Sequence, residues 1–570
     1  MRSATLNRRL GQSRRRPWRR SATAASRALL SIAVITVSCT ALCGCQPPRP
    51  DSTRGYVLIS LDTLSAEHMS LYGYRRPTTP FLDHLAERAM VFDNAYVQLP
   101  GTLPSHMSIM TGLYPDQHGV MPPDGVLSER IATLPEIFRA QGYRTAGFTE
   151  GGYVSGRYGF SRGFEQFDDS FKNLWRETPN VLDSGLDFID SLAADEPFFL
   201  FVHTYAVHAP YAPPVECRDL FWPGDPPPVD PPLGPNLKEH NQGLAVIDKT
   251  TAEYYAALYD AEVRCLDMRL EAFFAELERL GFADDVTVVV TSDHGEEFLD
   301  HGMMVHQQIY IENTHVPLML LNPSLPAGER IPGIVQSIDI APTLCDIAGL
   351  DTPMGIAGRS LLPMIGGRMK QVRGFAVSQS VTGDRGMLAL ARDRLFHLVS
   401  IRPDIDPPDG PLGVASFLRL RVPRGSLIFE ASAYLQPTTL RLVVEGVELQ
   451  DVALESGTWS RIATVVPAGT GQALLELVAD SCQPIPKSLE QGGRRCRSFT
   501  VRGVPLRRFE LYDLLADRPE SIDLSADHED LTSGLAQRLA ELRWQPVAAI
   551  QDEPIDQELE DQLRALGYVD

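Results

Sequence analysis

Short apolar runs alternate with stretches of helical period from Tyr56 onward. Tyr56–Leu61 is continuous, apolar and rich in β-formers, the pattern of a strand buried on both faces. Pro80 to Met90 has helical periodicity. Arg144–Thr149 and Phe198–Val202 read as further strands, and Thr251–Gly281 as a long helix ending on its glycine. Val286–Val290 is the strongest central strand, and Pro317–Leu321 and a helix over Ile338–Ala348, closed by Gly349, follow. Strands alternating with helices predict an α/β fold, a mostly parallel sheet covered by helices on both faces.

Two stretches break the rhythm. Ala212 to Asn236 is dense in proline, which predicts an irregular lid or binding loop without helix or sheet. From about Gly413 to Val504 the pattern becomes all-β, with strands expected at Ala415–Val422, Ser426–Tyr434, Thr439–Val444, Trp459–Val465 and Ala473–Val478. Phe509–Leu514 and a helical tail to Leu566 follow. The expected organisation is a catalytic α/β domain over 55–405, a β-sandwich-like insert over 406–505, and a small C-terminal subdomain with its tail over 506–570. A chain of 570 residues exceeds what one hydrophobic core usually covers, which fits several packing units.

The N-terminus is of another kind. Residues 1–44 hold nine arginines and no acidic residue, then a largely apolar stretch from Ala28 to Leu42 that is short for a membrane span. A positive segment, an apolar segment and a small-residue cut site describe a secretory signal peptide. The alternative is an uncleaved N-terminal anchor. Leu42-Cys43-Gly44-Cys45 resembles the bacterial lipobox, which implies lipidation of Cys45, a linker over 45–54, and a lipid-anchored protein on the periplasmic or cell-surface side of a bacterial envelope.

Those nine arginines belong to 52 basic residues set against 73 acidic ones, so the chain without residues 1–44 has a net charge of about −30. Nucleic acid is therefore excluded as a partner, and an anionic substrate requires local positive charge, most simply a metal ion. No CxxC pair occurs among Cys217, Cys265, Cys345, Cys482 and Cys496, which argues against a zinc cluster. In an oxidising compartment Cys482–Cys496 and Cys217–Cys265 are both candidate disulfides.

Four polar clusters stand where an open α/β sheet places its active site, beyond the carboxyl ends of strands. Asp62 follows the first strand, and Asp293-His294-Gly295 follows the strongest one. His203 and His208 follow Phe198–Val202, and Thr102 stands where a helix begins. A lone Asp at a strand end is commonly a turn residue, so the argument rests on coincidence of the motifs.

In chain order, Leu61-Asp62-Thr63, Leu71-Tyr72-Gly73-Tyr74, Thr79-Pro80-Phe81-Leu82, Thr102-Leu103-Pro104-Ser105-His106 with Thr111-Gly112-Leu113-Tyr114-Pro115, Ser292-Asp293-His294-Gly295, His306 with Val316-Pro317-Leu318, and Glu510-Leu511-Tyr512-Asp513-Leu514 resemble the sulfatase family of the alkaline phosphatase superfamily. The resemblance covers roughly 55–400 and 506–570. It implies that Asp62, Thr102, Asp293 and His294 hold one divalent metal ion (Ca, Mn or Zn), and that Thr102, His208 and His306 are catalytic. His203, His301 and His106 are possible substrate-binding groups.

The departures shape the chemistry. Sulfatases oxidise a Cys or Ser to formylglycine in a motif ending in Arg; here these positions are Thr102 and His106. Threonine oxidation would stop at a ketone. Thr63 stands at a second metal-carboxylate position, and the family's Lys-x-His has no counterpart near Gly142–Gly151. The set resembles threonine-dependent phosphotransferases and phosphodiesterases of the superfamily, which form a covalent phospho-threonine. The expectation is thus a metal-dependent hydrolase of sulfate or phosphate esters working through a covalent threonine intermediate. Its substrate would be a sulfated or phosphorylated small molecule, glycan or glycolipid. The alternatives are a transferase of phospho-head groups between envelope glycolipids or glycans, and a non-catalytic glycan-binding relative.

Overall fold

The computed structural model describes residues from Thr53 to Leu563, apart from short gaps and longer ones at 171–179, 228–236, 242–246, 401–411, 485–495, 503–508, 543–550 and 553–561. The eight strands of the main sheet are β1 (Gly55–Leu61), β2 (Met90–Tyr96), β3 (Arg144–Phe148), β4 (Gln166–Asp168), β5 (Phe198–Thr204), β6 (Val286–Thr291), β7 (Leu318–Leu321) and β8 (Glu329–Gln336). Their order across the sheet is β8-β2-β7-β6-β1-β5-β3-β4. Only β7 runs against its neighbours; β1 lies parallel between β5 and β6.

Both faces of β1 are buried, as its unbroken apolar run requires. Val57, Ile59 and Leu61 face a layer containing the long helix Lys249–Arg279, through Tyr255, Leu266 and Phe273. Tyr56 and Leu58 face the opposite layer, with Met107, Phe138 and Leu344. The period-two alternation of the strand thus sorts two cores, one on each side.

A second sheet pairs Phe375–Gln379, Arg385–Ala391, Arg394–Ser400 and Phe509–Asp513. The last two strands are direct neighbours although residues 401–508 intervene in sequence. Between them run two antiparallel four-stranded sheets. One contains Gly425–Ala433 and Ser460–Val466, the other Thr438–Val444 and Ala473–Ala479. Leu440, Leu442 and Val444 are buried in alternation, as a half-buried strand demands.

Four readings of the sequence need correction. The helix expected over Pro80–Met90 stops at Leu85, and Met90 opens β2, whose apolar start is masked by Asp93 and Asn94. Ala212–Asn236 is not wholly irregular: Val215–Phe221 is a helix with Pro214 as its N-cap. The prolines flank this segment, where they punctuate a helix without interrupting it. The stretch Val447–Leu454, not expected as a strand, pairs with Thr438–Val444. Among the described residues the tail is helical over Glu529–Glu541 and again at Gln562 and Leu563, but between them Gln551–Asp552 is a short strand that pairs with Gly125–Val126.

Cys217 and Cys265 form a disulfide that fastens the proline-flanked helix to the long helix. The Ala212 amide strengthens the same junction by donating to Glu262 Oε1 (2.6 Å). The other candidate disulfide, Cys482–Cys496, involves Cys482, which lies outside the described residues, as do Cys45 and the whole segment before Thr53. Among the described residues no helix is long and apolar enough to cross a membrane.

Candidate active site

Asp62 leaves the carboxyl end of β1 with its amide bonded to the Thr204 carbonyl (3.1 Å), so β5 fixes its backbone. It is fully buried, and no hydrogen bond of good geometry reaches either carboxylate oxygen. Thr63 follows at φ 54, in the left-handed region that a β-branched residue rarely adopts. Three bonds hold it there. Its amide donates to Asp293 Oδ1 (3.2 Å), its hydroxyl to the Val207 carbonyl (3.0 Å), and its carbonyl accepts from Tyr259 (2.7 Å). Such a local conformation costs on the order of 1–3 kcal/mol and persists where surroundings over-determine it. Here it aims an amide at a carboxylate.

Strand β6 delivers Ser292, Asp293 and His294 beside Asp62. Gly295 permits the next step of the chain, because a Cβ there would sit 1.9 Å from the Glu312 carbonyl oxygen. His294 Nδ1 lies 3.0 Å from the Gly295 carbonyl, which can only accept. Nδ1 therefore carries the proton and the neutral ring presents its Nε2 lone pair inward. Burial, opposed by Asp293, lowers this histidine to about 4, so the ring is neutral at physiological pH. Ligand atoms of Asp62, Asp293 and His294 all lie within 4.8 Å of one another.

Thr102 is the first residue of the helix Thr102–Thr111, whose first turn has no side-chain cap. Its Oγ1 is 3.4 Å from His294 Nε2. The Ser105 hydroxyl, one turn on, donates to the Asp293 carbonyl (2.6 Å) and ties this helix to the loop after β6. Nucleophile candidate and ligand candidates are thus positioned by rigid elements.

The two acidic groups behave oppositely. Burial, then the neighbouring Asp293, pushes Asp62 well above the ordinary carboxylate range. Burial also acts to raise Asp293, but His294, His106 and His203 together hold it below that range. Two carboxylates this close in a dry site call for a cation between them.

Of the remaining candidates, His203 ends β5 fully buried, with Nε2 3.6 Å from Asp62 Oδ2. Burial, then His106, holds it neutral. His208 donates from Nδ1 to the Ala209 carbonyl (2.5 Å), and burial followed by His306 depresses it to about 3. His306 lies with its ring centre 4.3 Å from that of His294 and 5.5 Å from that of His208. Glu296 Oε1 stands 2.9 Å from its Nδ1. Sequence reasoning missed Glu296, although it adjoins the Asp293-His294-Gly295 run. The hairpin register Glu297↔Val305 sets Glu296 opposite His306.

The structure does not bring every histidine to Thr102 as a site group. His106 has Nε2 2.8 Å from the Ser60 hydroxyl and Nδ1 2.9 Å from the Thr102 carbonyl, so both nitrogens serve the scaffold. His301 belongs elsewhere, stacked on Tyr310 (3.6 Å between ring centres) and facing Glu312.

Residues 54–350 match the sulfatase family. The chain belongs to that family. It is 23% identical to arylsulfatase K of Rattus norvegicus over 54% of this chain and 62% of that protein. It is 22% identical to N-acetylglucosamine-6-O-sulfatase of Bacteroides thetaiotaomicron over 59% of this chain and 75% of that one. The match thus spans less than two thirds of the length of the Rattus norvegicus arylsulfatase K. Among solved structures, a protein in complex with its substrate D-glucosamine-2-N,6-O-disulfate shares the fold with TM-score 0.57 at 17% identity, over 86% of this chain and 97% of that one. The phosphonate monoester hydrolase of Agrobacterium radiobacter does so with TM-score 0.53 at 17% identity, over 85% and 95%. The sheet and its helical layers are therefore those of the alkaline-phosphatase-like sulfatase fold. Sulfatases depend on a metal ion, and the orphaned oxygens of Asp62 with the inward Nε2 of His294 fit one.

Proposed function

We propose that this sulfatase-family chain hydrolyses sulfate or phosphate esters by direct attack of the Thr102 hydroxyl. The observation that carries the reading is the meeting, at the ends of β1 and β6, of Asp62, Asp293 and His294 with Thr102 at a helix N-terminus. Asp62, Thr102, Asp293 and His294 would hold a divalent cation, which when bound lowers the pKa of a ligated hydroxyl and neutralises ester oxygens. Thr102 loses its hydroxyl proton to solvent and forms, through Oγ1, the new bond to sulfur or phosphorus as the ester bond to the leaving oxygen breaks; it regains a proton from solvent when water releases it. The first helical turn offers its amides to the charge that develops there.

His306, oriented by Glu296, supplies the proton that the leaving alkoxide needs. In the second step it takes a proton from the water that releases Thr102. His208 stays neutral with its proton on Nδ1, so its Nε2 accepts, from a substrate hydroxyl or the attacking water, and does not donate to the ester oxygens. His203 buttresses Asp62.

The names of the relatives favour a sulfated sugar, whereas threonine chemistry favours a phosphoester. We take the phosphoester as the better substrate. A panel of nitrophenyl sulfate, phosphate monoester and phosphodiester, with calcium, manganese or zinc restored after chelation, tests this. Turnover of a phosphoester above the sulfate supports the reading; turnover of the sulfate alone overturns that preference. Product formed only when an alcohol acceptor is supplied would make the chain a transferase.

We also propose export and anchoring through Cys45, a reading supported by the Arg-rich leader and by a disulfide that suits an oxidising compartment. A clickable fatty acid should label the wild type and not Cys45→Ser; an unlabelled wild type contradicts anchoring.

A further inference from the structure

His301 does not serve the Thr102 site, and its surroundings are unusual for a structural histidine. Its ligand atom, with those of Glu312 and Glu520, lies in a group whose members are all within 4.8 Å of one another. A fourth ionisable side chain, Glu297, adjoins them and accepts from the Asn313 side chain at Oε1 (3.0 Å). Glu297 is 0% exposed and Glu312 6%, yet Oε2 of each has no hydrogen-bond partner, and neither has His301 Nε2. His301 Nε2 and Glu312 Oε2 lie 3.5 Å apart without good hydrogen-bond geometry.

Glu520, in contrast, is held from behind. One oxygen pairs with Nδ1 of His397, and the other accepts from the Ile311 amide (2.8 Å). Groups that orient a carboxylate in this way are typical of the outer shell of a metal ligand. The neighbouring Arg518 makes its hydrogen bonds to Glu67 and His315 and reaches Glu520 only through its charge. Three buried carboxylates, Glu297, Glu312 and Glu520, stand against only two imidazoles, His301 and His397, in a dry place. Such an arrangement is stable when a cation joins it.

We infer that His301, Glu312 and Glu520, with Glu297 beside them, form a second divalent-cation site, distinct from the Thr102 site. One imidazole nitrogen with carboxylate oxygens suits manganese or zinc. The ion would fasten three separate segments: the hairpin that starts at Glu297, the turn Ile311–Thr314, and the C-terminal segment after Phe509–Asp513. That hairpin also positions His306, so the second ion acts on the first site by holding its wall.

The test is ion stoichiometry on the full chain, chelated and then dialysed against Mn2+ or Zn2+, with bound metal measured by elemental analysis. Asp293→Asn should retain one ion and Glu312→Gln should bind one fewer than wild type. The double variant should bind one fewer than Asp293→Asn. A Glu312→Gln chain with the wild-type count overturns the site. Where Glu312→Gln does not fold, Asp293→Asn alone decides, since a folded Asp293→Asn chain with no bound ion equally overturns it. Failure of the Thr102 reading shows separately, as an unchanged count in Asp293→Asn.

Discussion

Thr102 Oγ1 lies 3.4 Å from Nε2 of His294, the imidazole nitrogen left without a proton because Nδ1 faces the Gly295 carbonyl. The helix that starts at Thr102 and the loop that follows β6 meet at this contact. Thr102→Ala is expected to lower kcat by at least about a thousandfold, whereas Thr102→Ser keeps measurable turnover, because a hydroxyl remains. Steady-state kinetics with equal metal loading checks it; wild-type kcat in the alanine variant removes Thr102 from the chemistry.

Chelation is expected to abolish turnover and lower the melting temperature, since an ion bound to the native state stabilises it by mass action. Asp62→Asn and Asp293→Asn should lose turnover in the same way, without further response to chelator at the Thr102 site. Calorimetric melting with and without chelator reads this directly. Full activity in a metal-free preparation contradicts it.

The leaving-group role of His306 predicts a dependence on the ester. His306→Gln should slow alkyl esters by about 10²–10³-fold and nitrophenyl esters much less, because a good leaving group needs no proton. Glu296→Gln should show the same pattern in weaker form. Equal losses across the series would make His306 a binding group.

How much of this was legible in the chain depends on distance. Asp62 and Asp293-His294 could be read because each ends an apolar run that only a buried strand explains, and strand ends in such sheets converge. Thr102 could be read from the helix-forming stretch after it. Glu296 could not be assigned a role, since its partner His306 comes ten residues later and only the hairpin register opposes them. The surroundings of His301 could not be read for the same reason. The turn at Leu299 (φ 68) and Gly302 (φ 82) reverses the chain and carries the ring to Tyr310. Spacing left two disulfides open, because loop length does not decide which cysteines meet.

The Cys217–Cys265 bridge spans a sequence separation of 48 residues. On a chain-entropy account such a loop contributes about 4 kcal/mol. Reductant should therefore lower the melting temperature of the wild type and leave a Cys217→Ala, Cys265→Ala chain unchanged. Equal melting of wild type with and without reductant contradicts a structural bridge.

Arg518 and Glu67 bind the C-terminal segment to the turn after β1, with Nη2 2.6 Å from Oε1. Burial acts to raise the Glu67 carboxyl, but His315 and Arg518 outweigh it and bring the group from 4.5 to about 2. A depressed carboxylate contributes stability that is present above its unfolded value and lost as pH falls through the folded one. The stability gap between wild type and Glu67→Gln should thus be full above pH 4.5 and close on going toward pH 2. Denaturant melts across that window check the sign; a gap that widens in acid contradicts it.

The covalent step is tested most directly at Thr102 itself. Quenching the full-length enzyme in acid during turnover, digesting it and weighing the peptide that contains Thr102 should show two species. One is the unmodified threonine peptide, and the other is heavier by one phosphoryl or sulfuryl group on Thr102. Fragmentation should place the added group on that residue, and Thr102→Ala should lack it. Turnover with the added group on any residue other than Thr102 would contradict the account.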